Sequence, residues 1–214
     1  PEFKPPTILK PFFYRGNDGN WWSQNYKDAR RFLYGTKEIP PDFENARKLL
    51  AEEAEQGNGL AMYDLGKMYL DGLDCDPDET VAQEWFGKAL NAFHKRERTD
   101  QRKDYWQYRV GKMHSLGHGT DQDYVASAQW FSKAAQEDNP YAQYALGGQY
   151  QRGQGVEQSY EQAVSLYTQA AENTSRPNAY AQYQLGNLYK EGLGVAVDPK
   201  QSAKWYAMAY QSFL

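Results

Sequence analysis

The chain has 214 residues, 40% of them hydrophobic and 24% charged, with a formal net charge of −4 and a mean hydropathy of −0.92. This composition supports a substantial core and excludes a disordered chain. The mild acidity excludes a phosphate-binding basic face as the main business, and no apolar run reaches the roughly 18–20 residues of a membrane span.

In chain order, Pro1-Glu2-Phe3 reads as the remnant of a cloning site, which places native sequence from Lys4 in a piece of a longer protein. Residues 4–20 (KPPTILKPFFYRGNDGN) are punctuated by Pro and Gly and predict an extended segment. WWSQNYKDARRFLYG, from Trp21 to Gly35, and FENARKLLAEEAEQGN, from Phe43 to Asn58, predict a first helix pair, a degenerate unit over 21–57. Four clearer copies follow over about 58–104, 105–140, 141–179 and 180–214. Aligned on Leu65-Gly66, Val110-Gly111, Leu146-Gly147 and Leu185-Gly186, they stand 45, 36 and 39 residues apart. The same offsets superpose Gly72, Gly117, Gly153 and Gly192, then Trp85, Trp130, Leu166 and Trp205, then Ala89, Ala134, Ala170 and Ala209.

Each copy reads as two helices joined by a Gly-rich turn. Ala142, Leu146 and Tyr150 recur at i, i+4 and i+8 on one helical face, and Gly153-Gln154-Gly155 ends that helix. Ala163, Leu166, Tyr167, Ala170 and Ala171 mark one side of the next helix. Asp76-Pro77 and Asp198-Pro199 are expected to cap and begin helices. Trp85, Trp130 and Trp205 are expected to fill the space between repeats. The surplus residues of the first offset fall in HKRERTDQRK, from His94 to Lys103, which reads as a solvated loop. The whole predicts about ten helices stacked pairwise into a curved all-α solenoid.

Chemistry-bearing motifs are sparse. There is no G-x-S-x-G, P-loop or H-E-x-x-H sequence, so an enzyme is not expected and no cofactor is assigned. His114 and His118, with Asp121 and Asp123 nearby, are the one constellation that suggests a metal. His114, however, takes the position of Tyr69, Tyr150 and Tyr189, and a zinc site needs three or four ligands, so both histidines read as structural. The acidic run from Asp71 to Glu79 lacks calcium-loop spacing and reads as a helix cap. Cys75 is the single cysteine, which forbids an internal disulfide and fits a reducing compartment, taken as the cytoplasm.

The motif A-x-x-x-L-G-x-x-Y-x-x-G-x-G-V followed by A-x-x-W-x-x-x-A-A, met almost fully from Ala142 to Ala171 and from Ala181 to Tyr210, resembles the Sel1-like repeat family, relatives of tetratricopeptide repeats. The resemblance covers roughly residues 43–214. It implies a right-handed α-solenoid of about five helix-turn-helix repeats with a concave groove lined by the first helix of each. It also implies a non-enzymatic adaptor that holds another protein or peptide segment. A weaker resemblance, carried by the stretch from Asn25 to Gly66, is to the repeat region attached to mobilisation relaxases of conjugative elements. It implies a bacterial context and an alternative role as an accessory module linking a relaxase to its transfer partners.

The residues of the first helix opposite its core alanine stand at i−1, i+2, i+6 and i+9, at 100° per residue. In the four copies these positions are rich in tyrosine, which offers a large rigid surface with a polar tip. The expected groove comprises Tyr63, Lys67, Tyr105, Tyr108, Lys112, Tyr141, Tyr144, Gln151, Tyr180, Tyr183 and Asn187. It suits an extended peptide or a helix of some acidic character. The alternative is that the tyrosines of adjacent repeats pack on one another.

Overall fold

The computed structural model describes residues 22–213. Residues 1–21, read above as a cloning remnant, an extended segment and Trp21 of the first helix, lie outside the described residues. Among the described residues there are ten helices and no strand. They are α1 (Gln24–Tyr34), α2 (Phe43–Glu55), α3 (Gly59–Asp71), α4 (Glu79–Thr99), α5 (Lys103–Leu116), α6 (Tyr124–Gln136), α7 (Pro140–Arg152), α8 (Tyr160–Ala171), α9 (Ala179–Glu191) and α10 (Pro199–Phe213). The fold class is an all-α solenoid of helix-turn-helix repeats.

The chain divides into two compact units, one holding 22–95 with 118–120 and the other 96–117 with 121–213. In the first, α1 packs on α2 and α2 on α3, while the Tyr63 ring of α3 meets Phe86 of α4 at 5.2 Å. In the second, α5 to α10 pack each on the next. Its core is made of buried alanines set against larger side chains: Ala134 and Ala142 with Phe131 and Leu146, then Ala170 and Ala181 with Tyr167 and Leu185.

The repeat register holds atom by atom. The backbone N–H of Asp78, Asp123, Ser159 and Asp198 donates to the carbonyl of Tyr69, His114, Tyr150 and Tyr189 respectively. Each of these four residues also caps the following helix through its side chain. The cap of α4 is therefore Asp78, two residues beyond the expected Asp76, because that N–H···O=C bond fixes where the chain re-enters a helix. Asp198-Pro199 begins α10 as expected. Asn58, Asn139 and Asn178 cap α3, α7 and α9 from the other end of the hairpin.

The charged run from His94 to Lys103 is not a loop over most of its length. Helix α4 continues to Thr99, and its 21 residues exceed the 13 of α6 by about two turns. The connection is only 100–102, where the Asp100 carboxylate accepts from the Arg102 N–H. Acids and bases alternating at helical spacing suit a solvated helix as well as a solvated loop, so composition alone misreads the segment.

The tryptophans divide. Trp205 is buried, but Trp85 and Trp130 are half-buried, with Lys88 and Lys133 lying 4.2 and 4.1 Å over their rings. The buried aromatic of those repeats is the next residue, Phe86 or Phe131. Phe131→Ala is accordingly expected to cost about 3 kcal/mol and Trp130→Ala about 1 kcal/mol. Urea midpoints of the two variants check this, and equal shifts would contradict the assignment.

Candidate functional site

In the larger unit the tyrosine-bearing helices are α5, α7 and α9, one from each successive hairpin. Tyr108 of α5 lies over Phe131 of its own hairpin at 5.8 Å and meets Tyr141 of the next hairpin at 6.0 Å. Tyr144 of α7 repeats the arrangement with Tyr167 at 5.6 Å and Tyr180 at 6.1 Å. Tyr183 of α9 packs on Tyr206 at 5.5 Å, and Tyr180 meets the edge of Phe213 at 5.0 Å. The i+2 tyrosine thus sits on the second helix of its own repeat and touches the i−1 tyrosine of the following one.

Tyr108, Tyr141, Tyr144, Tyr180 and Tyr183 are half-buried, as is Lys112. Tyr105 is not part of that surface: at 6% exposure it is buried, packed edge-on to Trp106. Gln151 and Asn187 act as props. Gln151 Oε1 accepts from the Tyr167 hydroxyl at 2.8 Å, and Asn187 Oδ1 accepts from the Tyr206 hydroxyl at 2.6 Å. Burial raises the Tyr144 and Tyr180 pKa above the usual phenol value, against a hydrogen bond from Gln184 in the case of Tyr144. Both phenols stay neutral and keep a proton to donate.

In the other unit, Tyr63 of α3 is 8% exposed and wedged among Phe86, Phe93 and His118, the last 5.7 Å away. Lys67 Nζ pairs with Asp71 at 2.9 Å. Tyr63 and Tyr105 are therefore packing residues rather than open recognition surface. The helical wheel sets i+2 opposite the core alanine, but α7 and α9 each pack between two second helices, which close over part of that arc. Sequence reading placed Tyr167 on the marked side of its helix but missed Phe86, Phe131 and Tyr206, although one aromatic at the same register in every copy was the available signal.

The other candidates resolve into structural tasks. His118 stacks on Phe86 at 4.1 Å with rings parallel, and burial lowers the His114 pKa against the opposing influence of Asp123. Asp71 holds Lys67, Asp74 holds Arg47 at 2.7 Å, and Asp78 caps α4. Among the described residues no three His, Cys, Asp or Glu side chains converge as metal ligands, and no helix is long and apolar enough to cross a membrane. An open cleft of about 450 Å³ between α6 and the turn after α7 is lined by Val125, Ala128, Leu146, Tyr150 and Val156, with Lys133. It brings no carboxylate to bear on that lysine and so holds no acid–base pair.

Helical hairpins in register, linked by aromatic rungs, define an α-solenoid repeat protein. The chain belongs to the Sel1 repeat family, whose repeat matches at residues 25–58, 59–92, 107–139, 140–175 and 179–212. Members of this family are generally protein–protein interaction modules and typically not enzymes. Among solved structures, a Sel1 repeat protein from Oxalobacter formigenes is similar at 25% identity and a TM-score of 0.65, over 88% of this chain and 71% of that one. A protective antigen of uropathogenic Escherichia coli that displays an SLR fold is also 25% identical, with a TM-score of 0.54. It is matched over 88% of this chain and 45% of its own length, so this chain spans less than half of it. An immunity protein from Pseudomonas aeruginosa, 16% identical with a TM-score of 0.50 over 95% of this chain and 88% of that one, shares the fold alone. No curated protein matches the chain in sequence.

Proposed function

We propose that the chain is a non-catalytic scaffold that binds an extended segment of another protein across Tyr108, Lys112, Tyr141, Tyr144, Tyr180 and Tyr183. The observation supporting this reading is the run of half-buried tyrosines linking one hairpin to the next, each ring packed on one side and partly open on the other. Such rings are held rigid before binding, so little side-chain entropy is lost when a partner lies on them. Lys112, one helical turn after Tyr108 on α5, adds a positive charge to this stretch and favours a segment that carries carboxylates. The net charge of −4 weighs against nucleic acid, and the lone Cys75 favours a reducing compartment such as the cytoplasm. The accessory role beside a mobilisation relaxase rests on the resemblance of residues 25–66 alone and is not adopted.

Replacing Tyr108, Tyr144 and Tyr183 together by Ala is expected to weaken capture of the partner at least about a hundredfold, each truncation contributing about 1–2 kcal/mol. Capture by immobilised protein and thermal unfolding by circular dichroism are measured on the same variant. A variant that melts like the parent and no longer captures bears the proposal out. One that melts and captures normally removes it. A lowered and broadened melting transition assigns the rings to packing between repeats.

A further inference from the structure

Val125, Ala128 and Lys133 stand along one stripe of α6 and line the open cleft beside the turn after α7. Leu146 and Tyr150, one turn apart on α7, make the opposite wall, with Val156 of the turn. Gly155 brings that turn against the Tyr124 backbone, which bounds the cleft at the start of α6. Its volume of about 450 Å³ is that of a small-molecule site. Lys133 stands eight residues beyond Val125, about 12 Å further along the helix. Its ammonium rests 4.1 Å over the Trp130 ring, and no carboxylate lies among the described lining residues.

The next hairpin carries a different set at the same register of α8. Glu161 stands there for Val125, Val164 for Ala128 and Gln169 for Lys133. Val164 packs against the core of its hairpin, whereas the shorter Ala128 leaves room beside α6. Compared with α8, the α6 stripe lacks an acid at one end, has less bulk in the middle and gains a positive charge at the other end. All three differences suit an occupant with an apolar body and an anionic head. Val125, at 55% exposure, is a large apolar side chain that such a body would cover.

We propose that this cleft binds an aliphatic monocarboxylate, with the alkyl chain between Val125, Leu146 and Tyr150 and the carboxylate at Lys133. A fatty acid of medium length, such as octanoate, suits a stretch of about 12 Å. A peptide would bring an N–H and a C=O per residue against mainly apolar walls, where Gln129 and Ser132 are the neutral polar side chains that could answer them. An alkyl chain brings none. Trp130 holds the ammonium in place before the ligand arrives. The cleft shares no residue with the tyrosine-bearing surface, so this proposal and the tyrosine-face reading fail separately.

Isothermal titration of the intact 214-residue chain with sodium octanoate, below its micellar range, is expected to show saturable one-to-one binding. Lys133→Gln is expected to weaken octanoate at least about tenfold and to leave binding of the uncharged octanol unchanged. Ala128→Val and Val125→Glu, which bring in the residues of α8, are each expected to weaken both ligands at least about tenfold. Val125 and Lys133 are exposed, so their variants are expected to melt like the parent. Absence of saturable octanoate binding, or unchanged octanoate binding by any of the three variants, would overturn the proposal. Acetyl-Leu-Leu binding at least about tenfold more tightly than octanoate would also overturn it, since the cleft would then read the carboxyl terminus of a protein. So would sedimentation in which the parent self-associates and Val125→Glu does not, because the occupant would then be a second copy.

Discussion

Gly155→Ala is expected to destabilise the protein by about 4 kcal/mol, among the largest effects a single methyl group can have. Gly155 has φ = 71°, and a Cβ built on it would overlap the Tyr124 carbonyl group and lie 2.6 Å from the Val125 nitrogen. These are backbone atoms in the first turn of α6, so no side chain can rotate away, and relief requires the turn after α7 to part from α6. Gly153, two residues earlier, separates the two contributions. Its φ of 65° is similar, but a Cβ there would meet nothing closer than the Gln158 Cβ at 3.3 Å. Gly153→Ala thus carries the left-handed backbone cost of about 1–2 kcal/mol and little more. Urea midpoints of the pair measure the difference, and equal losses would show that close approach contributes nothing. The first repeat provides a natural comparison. Asp74 stands at this second position with φ = 64°, and its carboxylate reaches Arg47 of α2 instead.

Asp64→Ala is expected to cost about 3–5 kcal/mol through the charge it leaves behind. The Asp64 carboxylate accepts from the Tyr26 hydroxyl at 2.8 Å and from Arg30 at 3.2 Å, and the two charged side chains are 6% and 12% exposed. Burial alone would lower the Arg30 pKa, but Asp64, with Tyr26 and Tyr34, outweighs it and the net direction is upward. When Asp64 is removed burial alone opposes the charge, but a guanidinium does not give up its proton in a protein, so Arg30 cannot escape by neutralising. The guanidinium also lies 4.7 Å over the Tyr34 ring and 5.6 Å over that of Trp22, which helps to hold it in place. Adding Arg30→Met to Asp64→Ala is expected to recover about half of the loss, because the orphaned charge goes with it. Chemical denaturation of parent, single and double variants closes the cycle. A double variant less stable than the single one would mean that Arg30 stabilises through its contacts with the Trp22 and Tyr34 rings and that no costly orphaned charge was left. This network ties α1 to α3, which explains how a degenerate first repeat without the Leu-Gly pair stays docked.

How far the site could be read in advance depends on the angle each residue occupies. Tyr108, Tyr144 and Tyr183 were legible as one recurring position, and the structure places all three at equivalent points of α5, α7 and α9. Their contacts with Phe131, Tyr167 and Tyr206 were not, because a helical wheel gives directions about one axis and says nothing about where neighbouring axes lie. Tyr63 and Tyr105 share the wheel positions of that surface and are nonetheless buried, since the closure of adjacent side chains differs from hairpin to hairpin.

The sequence by itself determined the number of hairpins, their register and their turns. Those features rest on local chemistry repeated at fixed offsets: alanine and leucine on one face, a carboxylate or hydroxyl at the cap, glycine where φ must be positive. Only the tertiary structure decided between neighbours one residue apart. Trp130 and Phe131 differ by 100° on α6, and both fall within a wide apolar arc, so hydrophobicity cannot choose. The helix α5 that packs against α6 leaves room for a ring beside Gly111, where Phe131 sits, and Trp130 turns toward Lys133. The same holds for the extra turns of α4, whose alternating charges are equally at home in a loop or on a solvated helix. Propensity sets what a segment can form, and the surface it meets sets which of the permitted forms is occupied.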